Sequence, residues 1–213
     1  MIKANHLKLF ETYLRSLNLF KEEEIQFLSE RTRLKRFKKN EFFIKEGEKC
    51  EDFLFVTKGI FRSFFSPNQS TSITHGFTFE NNFLTSLSSY LTGEESEENI
   101  QSIVNSEAIV LSKAELTILE EQHLSWNKFL KIYSEKQFSR MEKIIRIIYQ
   151  EDAETRYMNL IKHQPHYFQH LPLNHIASYL GITQRHLSRI RKGIMTKEKK
   201  MILVEKQAQK TIN

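Results

Sequence analysis

The residues best suited to contact chemistry crowd near the end of this chain. Between Leu171 and Ile194, Gln184, Arg185, His186, Ser188, Arg189, Arg191 and Lys192 surround Leu187, Ile190 and Ile194, which recur at helical spacing. Arg can donate paired hydrogen bonds to a guanine edge, and Gln can pair with adenine. Ser, Lys and helix N-termini suit phosphate oxygens. The set fits contact with double-stranded DNA better than covalent catalysis.

Such side chains must be held by a rigid support, and the flanking residues supply one. Leu173 can lead a short helix with Ile176, Ala177 and Leu180 inward, and the small Ala177 lets a second helix cross closely. Gly181 follows where a left-handed turn is common. Ile182 plugs the turn, and Thr183 is a natural N-cap for the helix that carries the basic face. Together these predict a helix-turn-helix, whose second helix enters a major groove. The competing reading is a helical hairpin with a solvated basic face.

Charge distribution agrees with the first reading. Lys and Arg number 32 against 26 Asp and Glu, a net +6. Glu94, Glu95, Glu97 and Glu98 form one acidic loop, whereas Lys197, Lys199 and Lys200 extend the basic cluster of Arg185 to Lys192. The polar tail from Lys197 to Asn213 is expected to fray.

Upstream, Leu7, Phe10, Leu14 and Leu17, then Ile25 and Leu28, predict two short amphipathic helices joined near Asn18. From Leu34 to about Lys113, short runs rich in Phe, Ile, Val and Thr predict an antiparallel sandwich or roll. A long helix is predicted from about Leu124 to Tyr149. Leu130, Tyr133, Gln137, Met141, Ile144 and Ile148 step along it by three or four, close to a heptad seam. That stripe reads as a homodimer interface, with packing on its own domain as the alternative. The expected organisation is a sensor domain over 1–120, a dimerisation helix over 121–150 and a DNA-binding domain over 151–213.

The segment from Ile176 to Thr183, followed by Leu187 to Lys192, resembles the DNA-binding helices of the Crp/Fnr family of bacterial transcription regulators. Ile44, Gly47, Glu48, Phe53, Phe55, Val56 and Gly59 resemble that family's cyclic-nucleotide-binding jelly roll. The resemblance implies an α+β chain with an N-terminal antiparallel jelly roll, a long dimerisation helix and a C-terminal helix-turn-helix. It implies that Gln184, Arg185 and Arg189 face base edges, with Thr183 and Ser188 close to the backbone. His186 is unusual at its place.

The chain departs from the family in the phosphate cassette. Members that bind cyclic nucleotides carry a Gly-Glu pair and then an Arg followed by Ser or Thr. Here the stretch from Phe79 to Ile100 has no such pair at the expected start, and Glu97 falls about where the Arg belongs. A carboxylate facing a phosphate is repulsive, so the expected small-molecule effector is something other than cyclic AMP, or there is none. The family's wing is not obvious either; Met201 to Val204 offers one strand for it.

Other classes find less support. One cysteine, Cys50, excludes an intrachain disulfide or an all-Cys metal site and reads as a small half-buried side chain. His163, His166 and His170 are separated by Pro165 and read as polar loop residues rather than metal ligands. No apolar stretch approaches the roughly 20 residues that cross a bilayer, and no signal peptide is evident after Met1. A cytoplasmic protein with no cofactor and no membrane partner is expected. No phosphate loop or nucleophile–base set marks an enzyme. The alternative function is a jelly-roll ligand- or protein-binding module that does not bind DNA.

Overall fold

The computed structural model describes residues 2–68 and 71–196. The chain divides into two compact units, Met1–Met141 and Glu142–Asn213.

The first unit opens with α1 (Ile2–Ser16) and α2 (Glu22–Arg31). Their junction passes through Asn18 at φ 53, a left-handed conformation that Asn tolerates better than most side chains. Glu22, Glu23 and Glu24 occupy the first turn of α2, where the helix dipole favours carboxylates. Glu24 reaches back to accept the Lys21 N–H at 2.7 Å.

Eight strands follow: β1 (Arg33–Phe37), β2 (Phe42–Ile44), β3 (Asp52–Lys58), β4 (Phe61–Asn68), β5 (Thr71–Thr78), β6 (Asn82–Leu84), β7 (Asn99–Ser102) and β8 (Ser106–Ser112). A short helix, α3 (Leu87–Thr92), separates β6 from β7. Two four-stranded sheets result, ordered β1-β8-β3-β6 and β2-β7-β4-β5, and every pairing is antiparallel. This is the anticipated jelly roll. Helices α4 (Lys113–Gln122) and α5 (Ser125–Gln150) leave it.

The run from Phe53 to Val56 is apolar throughout because β3 is covered on both faces, and side chains alternate along a strand. Leu54 and Val56 enter a core between the sheets with Phe37, Ile44, Phe61, Ile100 and Val110. Phe53 and Phe55 face the helices, packing with Phe10, Leu14, Leu28, Trp126 and Phe129. Trp126 is fully buried and meets Phe53 edge-on at 5.4 Å. Each such side chain contributes about 1.5–3 kcal/mol by burial, which fixes the start of α5 to the roll. Cys50, expected to be half-buried, is only 3% exposed.

Gly59 turns the chain from β3 into β4 at φ +94, and a Cβ there would lie 2.1 Å from the Ser106 Oγ and 2.8 Å from its Cα. Gly59→Ala therefore adds overlap to backbone strain and should destabilise the chain by at least about 2 kcal/mol. Gly181, at φ +69 with open space around it, bears strain alone; Gly181→Ala should cost about 1 kcal/mol. Urea denaturation checks the order, and equal midpoints for the two variants would refute it.

The second unit contains α6 (Ala153–His163), α7 (His166–His170), α8 (Leu173–Tyr179) and a ninth helix, α9, over 184–196. The Asp152 carboxylate caps α6 by accepting the Thr155 N–H at 2.7 Å. Pro165 ends α6 as expected, but the following residues form α7 rather than a loop.

Candidate nucleic-acid interface

The turn between α8 and α9 is built by the backbone. The Ile182 N–H donates to the Ala177 carbonyl at 3.0 Å and the Gly181 N–H to the Ser178 carbonyl at 3.1 Å. Gly181 sits at φ 69. These paired bonds close the end of α8 as a Schellman motif. Thr183 then caps α9, its Oγ1 accepting the His186 N–H at 3.2 Å. Leu187 and Ile190 are buried, as are Ile176, Ala177 and Leu180 opposite them on α8; Ile194 is half-buried.

Arg156 was not singled out by its sequence context. From α6 its guanidinium donates to the Leu180 carbonyl at 3.0 Å and to the Glu151 carbonyl at 2.6 Å. It thus ties α6 to the end of α8. Its position four residues after the Asp152 cap offered no pattern to find it by.

Thr183, Gln184, Arg185, His186, Ser188, Arg189, Arg191 and Lys192 are all exposed. None of the ion pairs among the described residues involves Arg185, Arg189, Arg191 or Lys192. Among the described residues this face of α9 is cationic. Met201 to Val204, considered as a wing strand, and Lys197, Lys199 and Lys200 lie outside the described residues. His163 ends α6, and His166 and His170 bound α7. No group of three or more His, Cys, Asp or Glu that could hold a metal is assembled among the described residues.

On α5, the single stripe expected from Leu130 to Ile148 divides in two. Leu130 and Tyr133 pack against the helix-side core of the first unit. The Tyr133 hydroxyl donates to the Phe83 carbonyl at 3.4 Å, and burial pushes its phenol pKa up. Gln137 and Ile144 are half-buried. Met141 and Ile148 are 57% and 47% exposed, alongside Phe138 at 64% and Ile145 at 52%. Phe138, Met141, Ile145 and Ile148 advance by three, four and three, the spacing of a heptad seam.

The cassette region is closed by two serines. Ser86, at the start of α3, and Ser96 are 2% and 3% exposed, and their hydroxyls lie 2.9 Å apart. The Ser96 N–H and carbonyl also pair with Glu48 and Gly47. Glu97, which falls about where the family's Arg belongs, lies on the solvent side, where it lines an acidic groove with Glu46, Glu94 and Glu95. The inward neighbour is Ser96, one residue earlier, held by its backbone pairing to Gly47 and Glu48. No Arg or Lys is among the described residues that line this groove. Nearby, His75 on β5 stacks on Phe65 at 4.6 Å, and its Nε2 lies 2.7 Å from the Glu98 carboxylate.

Residues 34–123 match the cyclic nucleotide-binding domain family. Solved structures resemble the chain beyond that domain. FixK2 from Bradyrhizobium japonicum shares 14% identity over 78% of this chain and 86% of its own, with a TM-score of 0.69. A Crp/Fnr-family chain from Eubacterium rectale shares 14% over 87% and 88%, at 0.70. The c-di-GMP responsive global regulator CLP of Xanthomonas campestris shares 12% over 84% and 93%, at 0.68. The chain has the Crp/Fnr fold. No curated protein matches it by sequence. The Crp/Fnr fold accounts for the order of roll, long helix and terminal helices. No helix among the described residues is long and apolar enough to cross a membrane.

Proposed function

We propose that this protein is a dimeric, sequence-specific DNA-binding transcription regulator of the Crp/Fnr type. The observation that carries the reading is α9: a capped helix on a closed Gly turn, presenting exposed cations that enter no ion pair among the described residues. In this reading α9 enters the major groove, and the exposed row on α5 joins two chains. Two half-sites are then read about one helical turn apart, roughly 34 Å. A ligand in the roll would shift the population of DNA-competent dimers through α5.

Binding to duplex DNA fragments, followed by fluorescence anisotropy across salt concentrations, tests this. Phosphate contacts release counterions, so log affinity should fall linearly with log salt. A flat salt response would favour the ligand- or protein-binding module instead.

The effector in this reading is not cyclic AMP, because the closed serine pair supplies no phosphate-neutralising cation. Cyclic AMP at about 1 mM should leave the melting temperature unchanged, since only a ligand bound by the native state raises it. A saturable rise on titration would contradict this.

A further inference from the structure

β4 carries a charge that its surroundings leave without a counter-ion. Phe61 points into the core between the sheets, so Arg62, the next residue, projects from the opposite face of the same sheet. The strand pairing agrees: Arg62 stands opposite Gln101 on β7, while Ser63 stands opposite Ile100 of that core. Arg62 therefore belongs neither to the roll interior nor to the cassette.

Arg62 is only 5% exposed. Its Nε donates to the Thr74 Oγ1 and its Nη2 to the Ser72 Oγ, both at 2.7 Å. The guanidinium lies over the Phe64 ring, 4.2 Å from its centroid. All three neighbours are neutral. Among the described residues no carboxylate pairs with Arg62. Burial pushes its pKa down to about 10, which still leaves it charged at neutral pH. A cation withdrawn from water without an opposite charge is unfavourable, and an anion brought to it relieves that penalty.

The unused part of the guanidinium has a definite shape. Five N–H groups project from it, and Nε and Nη2 use one each on the two hydroxyls. The Nη1 and Nη2 N–H groups on the far edge stay parallel, the fork that takes two oxygens of one carboxylate or phosphate. No nitrogen of Arg62 is both sealed from solvent and unpartnered, so this edge can be reached. A second cation stands on the same sheet face. Phe42, also opposite Gln101, packs beside Phe64 at 6.4 Å, and the Lys45 Nζ lies 5.3 Å from the centre of the Phe42 ring.

We infer that Arg62 is the receptor for a small oxyanion, a carboxylate or a phosphate, bound on the β4–β5 face of the first unit with Lys45 adding charge from the adjoining ring. The site stands or falls independently of α9 and of the DNA-binding reading.

An anion bound by the native state raises the melting temperature along a saturable curve. The full-length protein is titrated with inorganic phosphate and, separately, with acetate, while chloride holds the ionic strength constant. At least one of the two should stabilise it, and the stronger responder tells phosphate from carboxylate. Arg62→Gln keeps a donor but loses the charge, and should weaken the fitted affinity at least about tenfold. Arg62→Lys keeps the charge without the fork and should fall between Arg62→Gln and the parent. In chloride alone Arg62→Gln should melt no lower than the parent, because a buried unpaired charge is gone. A parent protein that responds to neither anion overturns the inference. So does a response that Arg62→Gln retains in full, which places the anion elsewhere, the cations of α9 included. An Arg62→Gln chain that melts well below the parent in chloride shows the guanidinium to be a strut for Ser72 and Thr74, and overturns it as well.

Discussion

A chain carrying both Met141→Asp and Ile148→Asp sediments as a monomer and binds its DNA site at least about a hundredfold more weakly. The two side chains lie seven residues apart on α5, so they occupy equivalent heptad positions, and both are largely exposed in a single chain. Burying each in a seam contributes about 1.5–3 kcal/mol. The substitution also places a carboxylate from each chain near its symmetry mate, a cost that adds to the lost burial. Losing the dimer removes the second half-site, whose engagement at high effective concentration is worth about 10²–10⁴ in avidity. Sedimentation velocity reads the first effect and anisotropy the second. Leu130→Asp is the contrasting variant: it strikes the core of the first unit and should lower stability instead. A Met141→Asp, Ile148→Asp chain that remains dimeric would place the seam elsewhere.

Replacing Arg189 with Ala costs about 1–3 kcal/mol of specific binding, the value of one bidentate Arg–guanine contact. Its side chain is exposed and takes part in no ion pair among the described residues, so the folded state loses nothing when it is removed. Surface substitutions of this kind stay within about 0.5 kcal/mol of the parent stability. The expected signature is therefore weaker specific binding at an unchanged melting temperature. Unchanged affinity for the enriched site would refute the role given to Arg189. A large drop in melting temperature would show that the residue supports the fold.

These expectations rest unevenly on what the sequence discloses. The runs in β2, β3, β4, β5 and β8 were legible because Phe, Ile and Val recur between turn residues. β1 was not, since Arg33, Lys35 and Arg36 dominate it; its two apolar residues point to opposite faces, Leu34 to the helix-side core and Phe37 to the core between the sheets. β6 and β7 are only three and four residues long and, unlike the wholly apolar β2, mix in polar residues, Asn82 in β6 and Asn99, Gln101 and Ser102 in β7. In the cassette, a shift of one residue decides whether Ser96 or Glu97 points inward, and both precede β7 in irregular chain, where no periodic pattern marks the inward position. The pairing with Gly47 and Glu48 that settles it joins residues far apart in sequence.

The α8–α9 turn was legible almost whole, because a Schellman end and an N-cap are local events carried by Gly181 and Thr183. The stripe on α5 was legible as a stripe but not as two. Helical periodicity marks which residues avoid water, and it is silent on whether the cover comes from the same chain or another. Leu130 and Tyr133 lie close enough to the roll to meet its core, while Met141 and Ile148 are left exposed. Arg156, whose two backbone bonds brace the helix pair, is recognisable only once the fold brings α6 to the end of α8.

The most direct test of a dimer reading DNA through α9 is enrichment from a randomised duplex pool at two salt concentrations. The account predicts a palindromic site with half-sites about one helical turn apart, bound more weakly at the higher salt. A pool that stays unenriched at both salts, in the presence of cell extract as well as in its absence, would contradict it.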